Sequence, residues 1–237
     1  GSGGLVVGTD DFSNAQPAAA RLPKVGRMQP DLEKIAALHP DLVAGITAGA
    51  HPNLRPALAA LHIPLELIRS DRLGDVAAGM ELLGRRLDSP HRADAVRRLQ
   101  TSLEAQRRKR TNAPRVLFAV WTDPLYVAGR ETLVDDLLRL TGATNVVGAS
   151  GWTQASLETV LAKPPDLVLF VDRSVTMQQV DALLARGVRG EAVSVDEDLF
   201  TRAGPRIPLA ATKLNSILDG WERSHPAGSA VDGRGPR

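Results

Sequence analysis

The chain has 237 residues, 43% hydrophobic and 24% charged, with a formal net charge of +2. That bounds a globular protein with one large core or two modest ones, and it supplies no global basic field of the kind nucleic acid needs. Cysteine is absent, which excludes disulfides, thiolate metal sites and a cysteine nucleophile, and no apolar run approaches the roughly 18 residues of a membrane span.

Gly1-Ser2-Gly3-Gly4 reads as a linker. Beyond it, short apolar runs predict strands at 5–8, 42–46, 65–68, 116–121, 167–171 and 192–195. Most lack period-2 alternation, as expected of parallel strands covered on both faces. Between them, helical periodicity predicts helices over 31–38, 52–61, 72–87, 91–110, 131–141, 156–162, 176–185 and 206–220. The alternation argues for βαβ units. The tail from Ser224 to Arg237, rich in Gly, Pro and Ser, is predicted to be disordered. No signal peptide is read, so a cytosolic chain or a mature exported one is expected.

An internal repeat organises these elements. Residues 32–43 recur at 157–168, an offset of 125 without gaps, with seven of twelve positions identical: Leu32, Glu33, Ala37, Pro40, Asp41, Leu42 and Val43. Chance gives about one. Each copy reads as a short helix, a Pro-Asp turn and a buried strand, and Asn145-Val146-Val147-Gly148 echoes Leu5-Val6-Val7-Gly8 ahead of it. Two similar halves predict two lobes. Between them, Ala93, Val96, Leu99 and Leu103 form one apolar stripe on a polar helix, expected to act as a stiff connector. The expected divisions are 5–88, the connecting helix 89–112, a second lobe 113–222 and the tail 223–237. The second half carries a strand and helix ahead of Asn145 that have no counterpart ahead of Leu5, so the first strand and helix of lobe 1 are expected to be missing.

No catalytic constellation is found. The five histidines form no His-x-x-x-His pair, and there is no nucleophile elbow, Walker loop or Gly-x-Gly-x-x-Gly after a strand. Asp10-Asp11 diverge in a loop, and the run Arg107-Arg108-Lys109-Arg110 reads as a solvated helix end. Aromatic residues are scarce, at 3%. Phe12, Trp121, Trp152 and Phe200 fall at or near the carboxyl ends of predicted strands, where ligands of open α/β sheets bind, and could line a pocket for a large planar or apolar ligand.

Four segments together resemble the cobalamin-binding periplasmic proteins and their wider class, the helical-backbone (class III) substrate-binding proteins of ABC importers for cobalamin, haem and siderophores. They are 7–13, 32–43, Ala128-Gly129-Arg130-Glu131-Thr132 with Gly142-Ala143-Thr144-Asn145, and 200–206. The resemblance implies an α/β fold of two Rossmann-like lobes with parallel sheets joined by a backbone helix. It implies a cleft that captures a metal chelate as cargo, with no resident cofactor or metal and no catalysis. It implies an extracytoplasmic location, a monomer, an inner-membrane ABC permease as partner and no nucleic acid. Glu33 and Glu158, which the repeat makes equivalent, are carried over as the acids that dock on permease arginines. The cobalamin-type pocket carries over to Phe12 for a tyrosine, Met28 near a tryptophan, Trp152 for an aromatic and Leu199 beside Phe200 for a tryptophan, with Trp121 alongside. Haem-binding relatives use a Tyr or His axial ligand, for which Tyr126, the only tyrosine, is placed. Siderophore relatives set arginines against anionic chelates, with Arg130, Arg173 and Arg206 as candidates. The expected cargo is cobalamin or a related corrinoid. The alternatives are haem, a ferric siderophore, or a truncated copy acting mainly through a protein partner.

Overall fold

The helix–strand pairs read twice in the sequence form twice in the structure, a computed structural model that describes residues 2–27, 29–48 and 50–226. Contacts divide the chain into two units, Gly1–Ser70 with Gly74–Val96, and Asp71–Leu73 with Arg97–Arg237.

The first unit begins with a 3-10 turn, Ser2–Leu5, and α1, Pro17–Ala20. Then come α2 (Leu32–Ala37), β1 (Val43–Ile46), α3 (Leu54–Ala60), β2 (Leu65–Ile68), α4 (Leu73–Arg86) and α5 (Arg92–Glu104). β1 and β2 form a parallel pair, Val43 opposite Leu65. The division between the units falls inside α5, between Val96 and Arg97.

The second unit contains β3 (Arg115–Thr122), β4 (Leu125–Ala128), α6 (Leu133–Leu140), β5 (Thr144–Asn145), β6 (Trp152–Gln154), α7 (Leu157–Ala162), β7 (Leu167–Val171), α8 (Met177–Ala185), β8 (Glu191–Val195), α9 (Glu197–Phe200) and α10 (Ile207–Ser224). Its sheet runs β6-β4-β3-β7-β8, with β5 also on β3. β5, β3, β7 and β8 are parallel, and β4 is antiparallel to β3 and β6. β7 is buried over its whole length, as its uninterrupted apolar run requires.

The repeat is structural. α2 and α7 lie 125 residues apart, and the same offset carries β1 onto Val168–Val171 of β7 and α3 onto the last seven residues of α8. Both repeat helices start on a side-chain cap: Asp31 accepts the Lys34 N–H at 3.1 Å and Ser156 the Thr159 N–H at 3.1 Å.

The structure corrects the sequence reading most consequentially in four places. Residues 5–8 form no strand. Leu5, Val6 and Val7 are exposed and only Thr9 makes a bridge, to Lys24, because the apolar run has no neighbouring strand among the described residues. The connecting helix ends at Glu104 rather than Arg110, because the segment after it is tied to α6 and α10: the Arg108 N–H donates to the Leu140 carbonyl at 3.0 Å and Asn215 Nδ2 to the Gln106 carbonyl at 2.8 Å. Residues 125–128, read as loop, are a strand, because Asp123-Pro124 makes a two-residue hairpin turn with Thr122 opposite Leu125. α10 continues through Ser224, where the tail is predicted to begin; residues 227–237 lie outside the described residues.

Asp71–Leu73 belongs to the second unit through a bidentate pair. Arg72 Nε and Nη2 donate to Asp136 at 2.8 and 2.6 Å, and the Leu73 N–H adds a 3.0 Å bond. Burial pushes the Asp136 carboxyl up, but the Arg72 guanidinium and the Leu73 N–H outweigh it and hold the carboxyl below its usual range. A depressed carboxylate contributes stability above its unfolded pKa and loses it as pH falls through the folded value. Asp136→Asn should therefore cost about 1 kcal/mol at pH 6, discounted for the partly exposed Arg72, and the gap to the parent should close below about pH 4. Urea unfolding at pH 6 and pH 3 measures this; a gap that stays constant would remove Asp136 from the acid response.

Candidate functional site

The second unit's sheet has two unlike faces. On one, Leu117, Ala119, Leu125 and Val127 join Val147, Val160, Val168 and Leu183 in a dry core under α7 and α8. The alternation that sends those side chains inward sends their neighbours to the other face, and a register irregularity in β3 between Ala119 and Trp121 brings Trp121 there as well. Trp121 lies opposite Tyr126, Tyr126 opposite Gln154, and Ala128 opposite Trp152. Residues directly opposite share a face, so Trp121, Tyr126, Gln154 and Trp152 form one stripe across β3, β4 and β6.

This stripe is open. Trp121 is 50% exposed, Tyr126 40% and Trp152 36%. Three of the chain's four Trp and Tyr residues thus sit together at the surface, against the cost of leaving large apolar area in water. The stripe is held from below. Trp152 meets Phe118 edge-on at 6.3 Å between ring centres, and Phe118 packs on Phe200 at 5.9 Å. The Tyr126 hydroxyl donates to the Trp152 carbonyl at 3.2 Å, fixing the two aromatic strands to each other.

The loop after β4 is tied closely to residues 149–151. The Gly129 N–H donates to the Gly151 carbonyl at 2.9 Å, and Arg130 exchanges 2.7 Å bonds with Ala149 and Gly151. A Cβ on Gly129 would lie 2.2 Å from the Ala149 carbonyl oxygen, so only glycine permits this approach. Beneath it, buried Asp135 receives the Glu131 N–H at 3.2 Å and Asn145 Nδ2 at 3.2 Å, and pairs with Arg139. Arg130, exposed at the rim, has no side-chain partner among the described residues.

Other expected ligand residues divide. Phe200 is 1% exposed and belongs to the core beneath the stripe, so it supports rather than touches the open face. Leu199 is half-buried on α9, a four-residue helix capped by Asp196. Arg173 is engaged by Asp198 at 2.6 Å, and Asp198 also holds Arg202 at 2.6 Å, so the expected cation is already neutralised. Arg206 is half-buried at the N-cap of α10. In the first unit, Phe12 is half-buried with the Arg27 guanidinium 5.2 Å from its ring centre. Asp10 caps the turn before it, accepting the Phe12 and Ser13 N–H groups at 3.0 and 2.6 Å, which gives that carboxylate a structural task. Met28 lies outside the described residues. Glu33 and Glu158 occupy the same place in their repeats, exposed in the first turns of α2 and α7. Neither carboxylate has a partner among the described residues. Gln154 is the residue that sequence reading missed; only recognising the hairpin places it beside Tyr126.

The model of the periplasmic binding protein family matches residues 3–187. The chain belongs to this family. Among its relatives is a vitamin B12-binding protein of Pectobacterium atrosepticum, 28% identical over 92% of this chain and 82% of that protein. The periplasmic heme-binding protein RhuT from Roseiflexus sp. RS-1 matches with a TM-score of 0.80 at 25% identity, over 91% of this chain and 90% of that one. A periplasmic heme-binding protein from Pseudomonas aeruginosa matches with a TM-score of 0.72 at 28% identity, over 89% of this chain and 84% of that one. Members of this family are binding proteins of transport systems, and no helix among the described residues is long and apolar enough to cross a membrane.

Proposed function

We propose that this periplasmic binding protein captures cobalamin or a related corrinoid outside the cytoplasm and hands it to an ABC permease. The open stripe of Trp121, Tyr126 and Trp152 carries the reading. Aromatic faces held rigid before a ligand arrives can stack on a large, flat, partly apolar molecule at little entropic cost. The vitamin B12-binding relatives support the corrinoid. The metal travels inside the chelate as cargo, so the protein supplies shape and stacking rather than metal ligands.

Tyr126 favours haem as the second reading. It is the only tyrosine, exposed within the stripe, and a phenol can ligate haem iron. Its hydroxyl would first have to leave the Trp152 carbonyl. A ferric siderophore has less support, since Asp198 occupies Arg173 and leaves Arg130 and Arg206 as the candidates. Titration of the protein with cyanocobalamin, haemin and a ferric siderophore tests this. Saturable binding of cyanocobalamin is expected, and Tyr126→Phe should leave it within twofold. Loss of a haemin Soret shift in Tyr126→Phe would assign haem instead, and no binding of any of the three would end the transport reading.

Glu33 and Glu158 are the proposed permease contacts. Their support is their repeat equivalence, their exposure and the lack of a partner among the described residues: a pair of acids repeated in the chain suits a two-fold partner. The double variant Glu33→Arg/Glu158→Arg should bind ligand like the parent and lose more than tenfold in transport in a reconstituted system. Undiminished transport would show that the pair faces solvent only.

A further inference from the structure

The stretch from Thr9 to Lys24 folds without apolar burial. None of residues 9–24 is buried, and the one helix among them is the four-residue α1. A loop with so little packing falls at the low end of local stability unless polar contacts fix it. Backbone bonds close its base: the Thr9 N–H donates to the Pro23 carbonyl, the Val25 N–H to Thr9 and the Asp11 N–H to Gly26, each at 3.0 Å. Above that base the contacts converge on one group.

Lys24 Nζ lies within hydrogen-bond reach of four oxygens. They are Thr9 Oγ1 at 2.7 Å and the carbonyls of Asp10 at 3.2 Å, Ala19 at 3.2 Å and Ser13 at 3.4 Å. An ammonium is a compact, strongly hydrated charge with three donors, and as a rule it keeps its water. Here protein oxygens take up that shell, and no carboxylate pairs with Lys24 among the described residues. Neutral oxygens gathered around one charge are how a chain holds a monovalent cation. Without the charge, three carbonyls and a hydroxyl would converge with no donor between them.

The cage brackets one side chain. Asp10 and Ser13 give their carbonyls to Lys24, and the Asp10 carboxylate accepts the Phe12 and Ser13 N–H groups at 3.0 and 2.6 Å. The backbone on both sides of Phe12 is thus fixed by one lysine. The ring is half-buried, with the Arg27 guanidinium 5.2 Å from its centre. Its direction follows from its backbone, which restricts the rotamers open to it.

We propose that Lys24 is the positioning residue for Phe12: its ammonium serves as the internal cation of the loop and holds the ring where a corrinoid stacks on it. The stacking rests on the corrinoid reading given above; the cage does not.

Hydrogen exchange in the ligand-free protein tests the cage. Lys24→Met keeps the length of the stem and removes the charge. Exchange at the Phe12 and Ser13 amides should speed up about tenfold, with buried Leu58 on α3 unchanged. A Leu58 amide that loses protection as well would make Lys24 a prop of the whole unit and end the proposal. Lys24→Ala opens the cage, and propylammonium supplies the missing atoms. It should return slow exchange, while tetramethylammonium at equal ionic strength, a cation without N–H donors, should not. Unchanged exchange in both variants, or equal rescue by both cations, would overturn the cage. Cyanocobalamin titration tests the positioning. Lys24→Met should weaken binding about fivefold in the parent but less than about twofold in Phe12→Ala, because residues acting through one contact do not add. Equal losses in the two backgrounds would show that Lys24 acts apart from Phe12. Parent-like affinity in a Lys24→Met protein whose loop exchanges fast would refute the positioning role. A parent that binds no cyanocobalamin removes that role together with the corrinoid reading, and the exchange result then decides the cage by itself.

Discussion

Arg110→Met should destabilise the second unit by about 3 kcal/mol and lower the melting temperature by roughly 6–12 °C. The Arg110 side chain is 3% exposed and spends its donors on four partners. Nε donates to the Thr141 carbonyl at 2.8 Å, Nη1 to Glu222 at 2.8 Å, and Nη2 to Asn215 Oδ1 at 3.1 Å, while Asp219 lies 2.7 Å from Nη1. The two carboxylates are partly exposed and can return to water, so they limit the loss. The Thr141 carbonyl and the Asn215 side chain are buried and cannot, and their unmet hydrogen bonds carry most of the cost. Gly142, at φ +80°, makes room for this packing: a Cβ there would lie 2.9 Å from the Arg108 carbonyl and 3.1 Å from Arg110 Cγ. Arg107→Met is the control. Its guanidinium is exposed and, among the described residues, pairs with Glu104 three residues away, so no measurable loss of stability is expected. Equal losses for the two variants would show that the Arg110 cluster contributes no more than a surface pair.

These two arginines mark what a sequence can and cannot carry. Four consecutive cations read alike, and the partners that single out Arg110 lie over a hundred residues away, on α10. Periodicity therefore predicts a helix through Arg110, although the segment after Glu104 is held by α6 and α10. The repeat, by contrast, was legible because its signal is local and doubled: the same caps, Pro-Asp turn and apolar strand occur at one offset and fold alike. The aromatic residues were legible as a group but not in geometry. Trp121 and Trp152 stood near predicted strand ends, yet the stripe exists because Asp123-Pro124 folds β4 back on β3 and sets Tyr126 opposite Trp121. Phe200 read the same way from sequence, and only packing against Phe118 separates it as core. Residues 5–8 failed as a strand for the complementary reason: an apolar run predicts burial, but a strand also needs a neighbour.

Trp121→Ala and Trp152→Ala are each expected to weaken cyanocobalamin binding by about tenfold, and the double variant by about a hundredfold. An aromatic face contributes about 0.5–1.5 kcal/mol beyond its buried area, and 1.4 kcal/mol is a factor of ten. The two sites should add, because the rings sit on different strands and, of the two, Trp152 alone meets another ring among the described residues. Stability separates them. Trp121, half exposed, should leave the melting temperature within about 2 °C, whereas Trp152 loses its edge contact with Phe118 and should cost about 1 kcal/mol, or 2–4 °C. That difference guards the test: weaker binding by Trp121→Ala at unchanged stability can come only from the face itself. Calorimetric titration of the three variants reads both quantities on one preparation. Parent-like affinity in the folded double variant would mean that the open aromatic face serves something other than the chelate.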